Sequence, residues 1–440
     1  MWRNITGKPY ITVSSKGLAN GQSEYFNDGA DFGPDSVQAD GSLTQTAGIQ
    51  EAVNYAYSSN QTTVYLKNGT YQINITSDSW KSDPNSTVDS YIIGIPSYML
   101  QGIRLIGQGY GGWGDIYKGS RIVPSSEFST KIFFNFIDTT MPNTYNNGLY
   151  VMSPASGENI SGSSATDVYV DGIEFSSSLN STSSTLTIVN FYYSSSAHGG
   201  TIKISTTSST LTGMHSTVGL NTSQPLSQGG QTWERVYIAG FYQGIVVGDS
   251  HVSILQLYID TCIIAITTLS YAHNSIILYA NIQNVQYIID NSSGASQLMI
   301  LNIDTEISTS YPISFSSMFS TPANTFNGYF IFWQPTAISF PALGAIPDGT
   351  VINYIGVNTP TTPSVPTSGT AQENTNPYAV DVYVYGGDVT EIQITRNGTA
   401  YTVLSVSTAI VMSGQPYKLN PGDSITITYT TAPDWEWLSD

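Results

Sequence analysis

Charge is the scarcest resource of this chain. Only 10% of its 440 residues are charged, and 31 acids outnumber 13 bases, giving a formal net charge of −18. A surface so poor in cations repels phosphate backbones and anionic bilayers, so nucleic-acid binding is not expected. A polyanionic substrate is disfavoured for the same reason unless cations bridge it. Cysteine is nearly missing: Cys262 stands alone, no intrachain disulfide can form, and its place in the apolar run Ile259 to Ile266 predicts a buried, inert thiol. No run approaches the roughly 20 apolar residues that span a bilayer, so membrane insertion is not expected. The first 30 residues also lack the apolar region of a secretion signal. The four histidines, His198, His215, His251 and His273, show no metal-ligand spacing, and no serine-hydrolase nucleophile motif is present. Neither a metal nor a cofactor is expected.

What is there is hydroxyl, amide and aromatic. Apolar residues make up 40% of the chain, enough for a large core, and 30 tyrosines and 7 tryptophans exceed what such a core needs. Flat rings with a polar tip stack on sugars and anchor protein interfaces. The most ordered signal begins at Ala30-Asp31-Phe32-Gly33 and continues through Asp40-Gly41 to the run Thr46 to Val53. Ile49, Ala52, Val53 and Ala56 fall at i, i+3, i+4 and i+7, which predicts a short helix with one apolar stripe and Thr46 as its cap. Val64-Tyr65-Leu66 then reads as a strand and Asn68-Gly69 as a turn, after which the chain keeps to strand-and-turn patterning.

The order of these pieces over Asp31 to Ile73 resembles the N-terminal signature of pectate-lyase-like right-handed parallel β-helix proteins. It departs from that signature in lacking a paired Asp before the helix and in carrying Asn68 where a Pro is usual. The resemblance implies an all-β, right-handed parallel β-helix with an N-terminal capping helix. The family includes polysaccharide lyases, glycoside hydrolases and viral tailspikes, so it does not choose a reaction. Its tailspike-like members are often homotrimers, which makes a trimer the expected oligomer.

An internal repeat supports the same architecture independently. Tyr237 to Ile245 aligns with Tyr258 to Ile266 at an offset of 21, and Ile282 and Ile303 continue the series. Gly102 to Gly107 and Val168 to Phe175 read as strand-turn-strand units, and the 65 residues from Ile173 to Ile238 are close to three coils. Expected boundaries are a segment 1–30, a β-helix domain 31–357 with its largest inserted loops at 176–231, a Pro/Thr/Ser-rich linker 358–377, and a C-terminal β-sandwich 378–440. Past Tyr311 the rhythm fades and prolines suit a closing end. In the C-terminal part, strands are expected at Val380 to Tyr385, Glu391 to Arg396, Tyr401 to Val406 and Ser424 to Tyr429. Gly386-Gly387, Asn397-Gly398 and Pro421-Gly422-Asp423 separate them, and Trp435 and Trp437 share one strand side. This segment is similar to C-terminal modules on surface proteins of thermophile viruses.

Candidate chemistry is sparse. Gly107, Gly109 and Gly112 satisfy G-x-G-x-x-G, but no helix follows to receive a pyrophosphate, so a wide turn is the better reading. The aligned coils stack Ala239, Asp260, Gln283 and Asp304 in one column, which puts Asp260 and Asp304 roughly 9–10 Å apart. That is near the upper limit of the carboxylate separation in inverting glycosidases. Glu306 shares the coil of Asp304, and Asp171 with Glu174 forms a second acidic pair, both against the plain alternative of solvated surface acids. The cations Arg104, Arg121, Lys203 and Arg235 show no lyase-like spacing to these acids; beside Glu234, Arg235 reads as an ion pair. Trp113, Trp233, Tyr192 and Tyr193 lie in or beside expected loops and are candidates for glycan binding. Ten sequons, at Asn4, Asn60, Asn68, Asn74, Asn85, Asn159, Asn180, Asn221, Asn291 and Asn397, are candidate N-glycosylation sites.

These features lead to the expectation of a receptor-binding or adhesion protein on a virion surface or otherwise outside the cell. Its expected partners are a host surface glycan or glycoprotein, other virion proteins and further copies of itself. A glycan depolymerase and a purely structural virion component are the alternatives.

Overall fold

The computed structural model describes residues 9–16, 29–36, 44, 46–73, 93–96, 103–109, 119–124, 132–137, 167–177, 187–190, 196–206, 218–222, 230–248, 251–269, 272–293, 297–306, 313, 315–333, 344–355, 362–376 and 379–439. The fold is mostly β, with one helix among the described residues. The first strands are β1 (Ile11–Val13), β2 (Thr63–Leu66), β3 (Gly69–Ile73), β4 (Ile93–Pro96), β5 (Ile103–Ile106), β6 (Ser120–Pro124) and β7 (Ile132–Ile137), and α1 (Ile49–Ser58) lies between β1 and β2. Next come β8 (Asp167–Asp171), β9 (Ile173–Ser177), β10 (Thr187–Asn190), β11 (Ser196–Thr206), β12 (Val218–Asn221), β13 (Gly230–Ala239), β14 (Gln243–Val247) and β15 (His251–Thr268). Then follow β16 (Ser275–Asp290), β17 (Gln297–Glu306), β18 (Ser317–Phe319), β19 (Asn327–Trp333) and β20 (Val351–Ile355). The last are β21 (Ala371–Glu373), β22 (Val380–Arg396), β23 (Thr399–Leu419), β24 (Ser424–Thr431) and β25 (Asp434–Ser439). Two compact units divide the chain: residues 1–267 with 271–276, and residues 268–270 with 277–440.

In the first unit the strand pairings among the described residues are parallel and join a strand to its counterpart further along the chain, in three files. One runs β1, β2, β5, β8, the front of β11, β13 and β15. The second runs β3, β6, β9, the rear of β11, β13 and β15. The third runs β4, β7, β10, β12 and β14. Strand periodicity explains the core: in the second file Tyr71, Ile122, Phe175, Ile204, Ile238 and Ile259 stand in one register column, and all six are fully buried. Each such side chain contributes about 1.5–3 kcal/mol of burial. The 21-residue offset is realised residue for residue, with Tyr237 opposite Tyr258 and Ile238 opposite Ile259.

Three expectations about this unit change. In the polar stretch 176–231, where one strand-like segment at 186–193 is expected among loops, β10 lies in that segment and β11 and β12 are further strands, all paired in the files. Ile202, Ile204 and Leu220 in it are buried, while Thr201, Ser205 and Thr206 are half-buried. The residues from Ile173 to Ile238 span two coil steps and not three, since β9 pairs β11 and β11 pairs β13. Trp233 is not a loop residue: it is fully buried in β13 opposite Gly199, where an added Cβ would lie 1.8 Å from its ring.

The opening motif is a clasp. Asp31 accepts the backbone N–H of Thr12 at 2.9 Å and its hydroxyl at 2.7 Å, tying the segment to β1. Val13 bridges Phe32 in parallel. The helical stripe is as expected, with Ile49, Ala52, Val53 and Ala56 all fully buried, and Thr46 Oγ1 accepts the Gln50 N–H at 3.2 Å. Helix α1 packs against β1, β2 and β4. After the turn, Gly69 (φ 143°) is required, because a Cβ there would lie 1.9 Å from Ser15 Oγ.

In the second unit parallel pairing outlasts Tyr311. β16 pairs β18 and β17 pairs β19 at an offset of 30, and β19 pairs β20 at 22, so the rhythm resumes after a longer step. Phe319, Phe326 and Phe330 fill that end as a buried aromatic cluster. Beyond it lies an antiparallel five-stranded sheet. The expected strands Val380 to Tyr385 and Glu391 to Arg396 are one long strand, β22, and Gly386-Gly387 (φ 60° and 63°) is a bulge within it. Asn397-Gly398 (φ 50° and 78°) is the hairpin turn to β23, matching the paired positive φ of a type I′ turn. Trp435 and Trp437 belong to the core with Val382, Ile392, Leu419 and Ile427. Part of the Pro/Thr/Ser-rich stretch joins the same sheet: Trp435 Nε1 donates to the Pro363 carbonyl, and β21 pairs β24.

Candidate functional site

The second file presents its alternate residues outward, in rows that run across the strands. One row reads Thr70, Arg121, Glu174, Lys203, Tyr237, Tyr258. A neighbouring row reads Ser176, Ser205, Ala239, Asp260, and the row on the other side carries Thr201, Arg235 and Gln256. Period-two alternation forces these residues out because their neighbours Phe175, Ile204, Ile238 and Ile259 point in.

The first row changes character along its length. Glu174, with 3% of its side chain exposed, is held between the Arg121 guanidinium at 3.6 Å and the Lys203 ammonium at 3.4 Å. Ser205 donates to it at 3.3 Å, and Arg121 also donates to Ser176 at 2.7 Å. Tyr237 and Tyr258 follow, stacked with centroids 4.4 Å apart and planes 9° apart. Because the rings stack on each other across the strands, they stand upright and offer edges and hydroxyls. Burial, then the neighbouring Tyr237, pushes the Tyr258 hydroxyl above its ordinary value, so it remains a protonated donor at neutral pH. Arg235 donates to Gln256 at 2.6 Å, which fixes two planar polar groups beside the tyrosines. Asp260 accepts the Thr261 hydroxyl at 3.0 Å.

The acidic candidates separate. Asp171 lies before the bend at Gly172 (φ 68°), where it accepts the Thr201 N–H at 2.7 Å, while Glu174 lies after it. Beside Asp171, burial first and the Asp171 and Glu234 carboxylates second push the Tyr169 hydroxyl up, and Arg104 lies 4.9 Å over its ring. The lyase-like cations are also not remote from acids, since Arg121 and Lys203 both sit on Glu174. Glu174 and Asp260 share a face but stand three strand steps apart, about 14 Å. That exceeds the roughly 6.5–9.5 Å over which two carboxylates flank a glycosidic bond. Gly107 and Gly109 serve a stacked turn, donating to the carbonyls of Asp171 and Gly172.

Asp304 belongs to the second unit, where Tyr279 OH and Asn281 Nδ2 lie 3.3 and 3.0 Å from its Oδ2 and Gln283 donates to Asn281 at 2.8 Å. Glu306 ends β17, and its side chain lies outside the described residues. The same unit holds a cavity of about 600 Å³ lined by Asp348, Glu373, Asn374, Arg396, Asn397 and Asp423 among others. Its groups bind one another: Arg396 pairs with Asp423 at 3.0 Å and Asn397 donates to Asp348 at 2.6 Å. Burial is the main cause that holds Asp423 above the usual carboxylate range.

Among the described residues no group of three or more His, Cys, Asp or Glu is placed to hold a metal ion. No described helix is long and apolar enough to cross a membrane. Trp113, Tyr192, Tyr193 and the sequons at Asn4, Asn74, Asn85, Asn159 and Asn180 lie outside the described residues. Asn60, Asn68 and Asn397 are exposed and Asn221 is half-buried. Asn291 is fully buried with its amide 3.4 Å from the Asn324 carbonyl, which leaves no room for a glycan. Sequence reasoning missed the Tyr237–Tyr258 stack and the Arg235–Gln256 pair, although the 21-residue offset that aligns both pairs was the signal for them. Comparison with known proteins finds no matching family model and no matching curated protein.

Proposed function

We propose that this chain is a glycan-recognising surface protein built on a right-handed parallel β-helix, with α1 covering its N-terminal end and the C-terminal antiparallel module as an accessory. Its station in this reading is the exterior of a virion or cell, in keeping with the resemblance of Asp31 to Ile73 to tailspike-type proteins. The observation that carries the reading is the outward face of β9, β11, β13 and β15. Tyr237, Tyr258, Arg235, Gln256, Ser205 and Asp260 there place hydroxyl, guanidinium, amide and carboxylate groups in adjoining rows. Planar groups and hydroxyls on a fixed repeat suit the vicinal hydroxyls of an extended neutral polysaccharide. The −18 charge of the chain favours neutral over acidic sugars.

The reading favours recognition, because Glu174 is clamped between cations and Asp171 lies on the other side of the Gly172 bend; hydrolysis by Asp260 with Asp304 is the alternative that reducing-end release tests. The test is retention on immobilised neutral polysaccharides. Wild type is retained, and Tyr258→Ala or Asp260→Asn weakens binding about tenfold, about 1.4 kcal/mol. Failure of every neutral glycan to retain the wild type overturns the reading. Continuous release of reducing ends from a retained glycan replaces recognition by hydrolysis.

A further inference from the structure

In the antiparallel module, strand alternation puts Val380, Val382 and Val384 of β22 and Trp435 and Trp437 of β25 into the core. The residues between them point the other way. Residues directly opposite in an antiparallel pair share a face, with Cβ atoms about 5 Å apart. Glu436 stands opposite Tyr383 and Asp434 opposite Tyr385, so this outer face carries two carboxylate–tyrosine pairs side by side. The next row holds Leu438 and Asp381, and there Lys418 of β23 stands opposite Asp381.

The rings are held in place and remain accessible. Tyr383 and Tyr385 have centroids 6.4 Å apart and planes within 16° of each other. The Tyr385 ring leans over Gly414 (φ 89°) of β23, where an added Cβ would lie 2.5 Å from it. Even so, Tyr385 stays 38% exposed. Asp434 and Glu436 are exposed as well, and neither carboxylate has an ion-pair partner among the described residues.

We infer that this face docks an extended segment of another protein that carries arginine at alternate positions. Charge complementarity selects the class of partner. The chain has a net charge of −18, and the two unpaired carboxylates beside the rings repel an acidic segment and attract a cationic one. Chemistry selects arginine, because a guanidinium is flat, stacks on a tyrosine face and offers a donor fork to the carboxylate beside it. Spacing selects the pattern. Alternate residues of an extended chain lie about 6.8 Å apart, close to the separation of the two rings, so Arg-x-Arg sets one guanidinium on each pair. A second copy does not supply such a segment, since no two of the 13 bases of this chain stand two residues apart. The inference is independent of the glycan reading, whose residues lie in the other unit.

The test is fluorescence anisotropy of a labelled, end-capped peptide carrying Arg-x-Arg among serines, titrated with the full chain. The expected result is saturable binding that weakens as salt rises. Placing the two arginines next to each other, which points them to opposite sides of an extended chain, weakens binding about tenfold. Asp434→Asn or Tyr385→Ala in the protein also weakens it about tenfold. Glu373→Gln removes the same charge from an exposed site on β21 and leaves the affinity unchanged. Absence of saturable binding, equal affinity for the two arginine arrangements, or equal losses in Asp434→Asn and Glu373→Gln overturns the inference. So does a Tyr385→Ala variant that loses retention on a neutral polysaccharide while it binds the peptide as wild type does, because the rings would then serve a sugar. Should Tyr385→Ala change the circular dichroism spectrum, Asp434→Asn decides: an unchanged affinity in that variant overturns the inference equally.

Discussion

Glu174 illustrates how little a carboxylate's identity says about its work. Its charge is removed from water and offset by Arg121 and Lys203, so the ion triad holds three neighbouring strands together on their outer face. Replacing it with Gln leaves two cations close together without an anion. The expected loss is about 1–3 kcal/mol by urea unfolding, below the roughly 3–5 kcal/mol of fully buried pairs, because Arg121 keeps 25% of its side chain in water. A catalytic role would instead leave stability nearly unchanged. The triad was illegible in the sequence because Arg121, Glu174 and Lys203 come from three strands whose offsets differ, and no spacing announces them. Cys262 was legible, since an apolar run around one thiol has one plain reading. Burial pushes that thiol up from 9.0 to about 12, so the folded chain holds its proton where the unfolded chain has released it. The sign follows: its contribution is constant below pH 9 and falls by about 1.4 kcal/mol per unit as pH rises through the window to about 12. Aromatic disulfide reagents at neutral pH should therefore leave the native thiol unmodified and titrate one thiol after denaturation.

Elements were read well where one face is buried and the period is clean. α1 and the strands around Tyr237 and Tyr258 fall where periodicity puts them, because core residues alone fix those patterns. β10 falls within the strand-like stretch 186–193, whereas β11 and β12 were hidden because a Ser/Thr-rich composition mimics loops, although Ile202 and Ile204 keep the strand alternation. Trp233 was misplaced for a related reason: whether a tryptophan is inside depends on a residue in another strand, here Gly199. Gly199→Ala tests that pairing directly. The new methyl would overlap the indole, which must shift within a packed core, at an expected cost of about 1–3 kcal/mol. The same substitution at Gly109, where an added Cβ meets nothing within 4 Å but φ is 94°, tests backbone strain separately. At the helix start, Thr46→Ala removes the oxygen that accepts the Gln50 N–H, and thermal unfolding should report about 1 kcal/mol.

At the scale of the whole molecule, the sparse and one-sided charge sets which ligands can approach. Exposed charges farther apart than about 8 Å are largely screened at physiological ionic strength. The −18 field therefore matters most in dilute salt and at the moment of encounter. In the proposed reading, a neutral polysaccharide along the rows of Tyr237, Tyr258, Arg235 and Gln256 would gain hydrogen bonds and exchange no counterions. Its affinity should accordingly hold constant from low salt to several times physiological. An acidic polysaccharide of the same backbone must cross the repulsive field, so its binding should be weaker at low salt and rise as salt screens the chain. The opposite slope, tightest binding of the acidic glycan at low salt, would mean that a local cluster such as Arg121 with Lys203 overrides the net charge. The carboxylate they share argues against that, since Glu174 already consumes the attraction of both. Titration of matched neutral and acidic polysaccharides across a salt series separates the two, and the sign of the acidic slope decides between them.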